Sequence, residues 1–87
     1  MKILKSLNKK EANELFEEYA ILIGNSVCIT YRTVVELFGI ESAKFPQEPG
    51  IDYNIRIIGG KDIKYLYING FYKAVTHHNI KLQTEVR

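Results

Sequence analysis

Between Asn8 and Gly24 the apolar residues return with the period of an α-helix, and no other stretch limits the fold as tightly. Ala12, Leu15, Phe16, Tyr19, Ala20 and Ile23 fall on one stripe at i, i+3, i+4 and i+7. A one-sided helix needs a second layer to cover that stripe. Asn8 suits the N-cap and Glu11 stands three residues on, which makes a capping-box pattern, and Leu7 takes the preceding staple position. Glu11 and Glu14 lie where the helix dipole favours negative charge. Gly24 is a natural stop beyond the last apolar residue. The spacing predicts a helix over 9–23.

The next stretch carries two signals. Val27 to Tyr31 favours a strand by composition. Thr30 can instead cap a short helix, 31–38, that stops at Gly39, with Ile40 folding back on Val35. The helix from 31, after a short extended entry, is the preferred reading. Residues 41–50 hold both prolines and read as a loop. Pro46-Gln47-Glu48-Pro49 matches P-x-x-P but lacks a flanking basic residue, so it is taken as a turn.

Residues 51–58, 63–68 and 71–78 read as three antiparallel strands. Asn69-Gly70 is a strong hairpin signal, and Gly59-Gly60 turns the first strand into the second. Lys2–Lys5 can add an edge strand. The predicted fold is α+β, with two N-terminal helices packed on a three-stranded antiparallel sheet, four-stranded if Lys2–Lys5 joins, in a single domain over 1–87.

Size limits function. A chain of 87 residues buries only about 60 to 65% of its unfolded surface. A deep cofactor cavity would consume its core, so no cofactor is expected. Cys28, the one cysteine, sits between Val27 and Ile29 and reads as a small core residue. Without disulfides the chain fits a reducing compartment. MKILKSLNKK has no long apolar h-region, and Ala20–Ile23 is too short to span a bilayer. A cytoplasmic protein with no membrane partner is the expectation.

Net charge is +2, unevenly spread. Residues 1–10 carry four lysines, 11–18 four glutamates, and 59–87 five bases against two acids. The C-terminal third is therefore mildly basic and suits an acidic partner.

Alternation on the expected last hairpin sets Ile63, Tyr65, Tyr67, Tyr72, Ala74 and Thr76 on one face, with His78 beyond. Lys64, Leu66, Ile68, Phe71, Lys73 and Val75 take the other. An even Gly59-Gly60 loop puts Arg56 and Asn54 beside the tyrosines, and an odd loop puts them beside Lys64 and Lys73. The even loop is preferred. It leaves an outer face rich in tyrosine, arginine and asparagine, with the lysines snorkelling from the rim of the aliphatic face. The candidate binding residues are Arg56, Tyr65, Tyr67, Tyr72, Lys64, Lys73 and His78.

Tyrosine and arginine are over-represented at protein hot spots, and aromatics on a sheet also stack unpaired bases. No Walker loop, G-x-G-x-x-G, H-E-x-x-H, C-x-x-C or G-x-S-x-G occurs, so no catalytic or metal-binding residue is assigned. His77 and His78 would point to opposite faces of a strand and could not share a metal. Ile, Lys, Asn and Tyr make 33 of the 87 residues, the usage of AT-rich coding sequence. Small proteins of that kind are frequent among phage and mobile-element accessory genes. The expectation is a small non-catalytic regulator or inhibitor that docks its Tyr/Arg/Lys-rich sheet surface onto a host macromolecule, protein or nucleic acid. The first alternative is an RNA- or DNA-binding module using the same surface or a winged-helix-like arrangement. A small ribonuclease is the third reading, and a homodimer through the sheet is a further way to cover that face.

Overall fold

The computed structural model describes residues 3–39 and 47–85. Helix α1 spans Lys9–Tyr19, strand β1 Ile21–Ile23, β2 Ser26–Thr30, α2 Tyr31–Phe38, β3 Tyr53–Ile58, β4 Lys61–Leu66 and α3 Ile68–Glu85. The fold is α+β, with an antiparallel sheet in the order β1-β2-β4-β3. The expected pair of N-terminal helices is corrected. One helix precedes the strands, one separates the two hairpins, and the longest follows them.

α1 starts as its sequence dictates. The Glu11 N–H donates to Asn8 Oδ1 at 2.8 Å, and the Asn8 N–H donates to the Glu11 carboxylate at 3.1 Å. Lys5, 2.7 Å from that carboxylate, and then the Asn8 N–H hold Glu11 below the usual carboxylate range. The helix stops at Tyr19, short of the expected residue 23. Glu17 and Glu18 stand in its last turns, where the dipole disfavours negative charge, and no basic residue offsets them. Ile21 and Ile23 are β-branched and lose side-chain freedom in a helix. Gly24-Asn25 then makes a two-residue hairpin turn, with Ile23 paired to Ser26 and Ile21 to Cys28. The left-handed Gly24, at φ +63°, serves that turn and does not cap a helix.

Both signals between 27 and 38 are realised, because β2 runs directly into α2. The Thr33 N–H donates to Thr30 Oγ1 at 3.3 Å, and the Gly39 N–H donates to the Val35 carbonyl at 2.7 Å. Ile40 and Pro46 lie outside the described residues, and with them the expected Ile40–Val35 contact and part of the P-x-x-P turn. Ile3–Lys5 forms no strand. The Ile3 N–H instead donates to the Leu37 carbonyl at the end of α2, at 2.6 Å.

Gly59-Gly60 joins β3 to β4 as a two-residue turn, with Ile58 opposite Lys61, Arg56 opposite Ile63 and Asn54 opposite Tyr65. This is the even register. The large departure follows it. β4 ends at Leu66, and residues 71–78 lie within α3, not in a strand. Phe71, Ala74, Val75 and His78 sit at i, i+3, i+4 and i+7, and all four are buried. That stripe prevails over the Asn69-Gly70 hairpin signal. Gly70 is instead where α3 crosses the chain at Asp52. A Cβ at this glycine would lie 2.2 Å from the Asp52 carbonyl oxygen.

The main core lies between the helices and one face of β2 and β4. Ile29 and Leu66 meet Phe16, Val34, Phe38 and Phe71 there. The Phe71 ring packs 5.3 Å from Phe16 and 5.9 Å from Phe38. The segment before α1 is strapped to α3. The Asn79 side chain bonds both the N–H and the carbonyl of Leu7, at 2.9 Å each, and His78 Nε2 lies 3.0 Å from the Lys5 carbonyl. A smaller cluster of Ile23, Cys28, Tyr65 and Tyr67 fills the opposite face of β4, under the β1–β2 hairpin. Among the described residues, no helix is long and apolar enough to cross a membrane.

Candidate functional site

The even register places Asn54, Arg56 and Ile58 on the same face of the β3–β4 hairpin as Ile63 and Tyr65. The β1–β2 hairpin brings Ile21 and Ile23, which share a face with Cys28, to this side, with Leu22 at its rim. Between the two hairpins runs a groove of about 570 Å³. Ile21, Leu22, Ile57 and Ile58 line it, and they are 48, 70, 72 and 47% exposed. Arg56 lines it too, and the Arg56 guanidinium lies across the sheet against Gly24. A Cβ on Gly24 would come within 2.9 Å of Arg56 Nη1. Among the described residues Arg56 forms no ion pair. The site thus presents branched aliphatic side chains around one uncompensated cation.

Beneath the groove, Tyr65 is buried and meets Tyr67 edge-on, with ring centroids 5.7 Å apart. Burial, then the hydrogen bond with Tyr67, pushes the Tyr65 phenol up, against a small opposing effect of Arg56. The expected outer face of exposed tyrosines is therefore corrected. Tyr65 is the floor under the β1–β2 hairpin, Tyr67 is half-buried after the end of β4, and Tyr72 lies on α3.

The seven residues singled out in the sequence divide into three groups. Arg56, Tyr65 and Tyr67 come together on the groove side. Lys64 projects from the opposite face, with its ammonium 4.5 Å from the Tyr31 ring centroid and 4.4 Å from that of Tyr53. Burial there lowers the Lys64 amine from the usual lysine range. The rest tie α3 to the fold. Tyr72 donates to Asn13 Oδ1 on α1. Lys73 lies 2.5 Å from the buried Asp52 carboxylate, which also accepts the Glu48 N–H at 2.8 Å. Lys73 foremost, helped by the Glu48 N–H, holds that carboxyl below its ordinary range despite its burial. His78 is buried with its ring 4.6 Å from Phe38.

Sequence reasoning missed Ile21, Leu22, Ile57 and Ile58 as a surface. The signal for half of it was present, since Gly24-Asn25 between Ile23 and Ser26 is a hairpin dipeptide. Among the described residues no group of three or more His, Cys, Asp or Glu side chains gathers to hold a metal ion. Compared with protein-family models, with curated proteins and with solved structures, the chain has no match in any of the three.

Proposed function

We propose that this chain is a small non-catalytic binding protein, a regulator or inhibitor, that docks the groove between its two hairpins onto a partner protein. One observation carries the reading. Among the described residues the exposed large apolar side chains are all leucine, isoleucine or valine, and four of them line a single groove. Aliphatic groups clustered beside an arginine that has no ion-pair partner among the described residues suit apolar protein side chains with a carboxylate among them. Base stacking needs exposed aromatic faces. Here Tyr65 is buried, and the faces of Tyr31 and Tyr53 take the Lys64 ammonium. Protein is thus favoured over nucleic acid.

The test is capture from cell lysate on immobilised chain, with and without nuclease. Wild type is expected to retain a protein after nuclease treatment. The Leu22→Lys and Arg56→Glu variants, both folded by circular dichroism, are expected to lose it. Retention that nuclease abolishes, or that both variants keep, overturns the reading.

A further inference from the structure

β3 is an edge strand; Pro49 bridges to Tyr53 at its start, and among the described residues the rest of its outer side is open. The two-residue turn makes Ile58 and Lys61 a hydrogen-bonded pair, so pairing alternates from there. Ile58, Arg56 and Asn54 direct their backbone groups at β4. Ile57, Ile55 and Tyr53 direct theirs away from it. At Tyr53 the outer carbonyl already accepts the Gly50 N–H at 2.7 Å. The Ile55 N–H is held by the neighbouring Asn54 side chain at 2.9 Å, an exposed contact that an incoming carbonyl can replace. The available edge is therefore Ile55 to Ile57. Of the features that usually blunt natural edges, Tyr53–Ile58 holds no lysine, proline or bulge, and its one charged residue is Arg56.

We infer that this edge pairs with the same edge of a second copy, antiparallel about a two-fold axis at Arg56. The axis must fall on a residue, because directly opposed residues share a face of the sheet. An axis at Ile55 would pair Tyr53 with Ile57 and run into the Gly50 hydrogen bond. An axis at Arg56 uses only the open positions. It sets Ile55 against Ile57 twice, on one face, and lets the outer backbone groups of those residues bond each other. The objection is like charge, because Arg56 would then face its own copy. The fold answers it, since each Arg56 guanidinium turns inward across its own sheet to Gly24.

The product is one continuous eight-stranded sheet that carries two grooves. This inference stands apart from the proposed function, because it needs no foreign partner.

Sedimentation equilibrium of the purified chain over a concentration series tests it. The expected result is a monomer–dimer equilibrium that Ile57→Lys weakens by about tenfold or more, the loss of one good apolar contact. Ile57 is exposed, so that variant should keep the wild-type melting temperature. Arg56→Cys should form a disulfide between copies, because residues at a non-hydrogen-bonded position on the axis lie close enough to bridge. Ile55→Cys should not. A chain that stays monomeric throughout, an Ile57→Lys variant that dimerises as wild type does, or cross-linking at Ile55→Cys in place of Arg56→Cys overturns the inference. A strictly monomeric chain that still captures a foreign protein through its groove would refute the pairing and leave the proposed function standing.

Discussion

Gly70→Ala puts the packing of α3 to a direct test. In an ordinary helix the exchange is favourable, by about 1 kcal/mol. Here the new methyl would lie 2.2 Å from the Asp52 carbonyl oxygen and 3.0 Å from Leu66 Cδ2. The nearest obstacle is backbone, so no rotamer change relieves it. Overpacking of this kind costs about 1 to 3 kcal/mol. The same carbonyl accepts the Tyr67 N–H at 3.0 Å, ahead of the first turn of α3. Moving it strands that donor, for about 1 kcal/mol or more. Set against the helix gain, the net loss is about 2 kcal/mol. For a domain of this size that lowers Tm by roughly 8–16 °C. Urea unfolding followed by circular dichroism reads both the loss and the slope, which should not change. A variant as stable as wild type, or more stable, would refute the close crossing of α3 over Asp52.

Three further outcomes follow from the same contacts. Asn79→Ala removes both bonds to Leu7 and leaves a buried N–H and carbonyl to find water, so stability should fall by about 1 to 3 kcal/mol in thermal melts; an unchanged melt would show that the strap is incidental. Asp52 has a folded pKa below its unfolded value, so its contribution is complete above the unfolded pKa and fades as pH falls through the folded one. Lys73→Met should therefore move the acid-unfolding midpoint to higher pH, and equal midpoints would remove the ion pair from the account. In an NMR titration of the methylated protein, Lys64 should lose its proton below the ordinary lysine range, because burial disfavours its charge; titration within the ordinary range would contradict that burial.

Much of the architecture was legible where a local signal and the tertiary demand coincide. Asn8 and Glu11 started α1, Thr30 and Gly39 bounded α2, and Gly59-Gly60 set the even register. The failures lie where one sequence serves two periods. Ile23 continues a helical stripe, yet Ile21 and Ile23 also alternate along a strand, and Gly24 ends either element. The Asn69-Gly70 pair suggested a turn, whereas Phe71, Ala74, Val75 and His78 already spelled a helix face. What the glycine permits at residue 70 is contact with a distant segment, which no local pattern encodes. The groove was less visible still. Arg56, Tyr65 and Tyr67 are legible as candidates, but Ile21 and Leu22 fall within the predicted helix 9–23, and a surface shared by two hairpins depends on how one folds over the other.

The burial of Cys28 gives the molecule a built-in clock. Its thiol is the only one in the chain; it is fully covered, donates to the Ser26 carbonyl at 3.4 Å, and has its pKa raised by burial. A thiol reagent in solution can reach it only when the cluster of Ile23, Tyr65 and Tyr67 around it opens or the chain unfolds. Labelling kinetics therefore time the opening of the groove floor separately from the helical core. Anything that seats between the hairpins should stretch that interval, so occupancy becomes measurable as a delay, with no dye or tag attached to the chain.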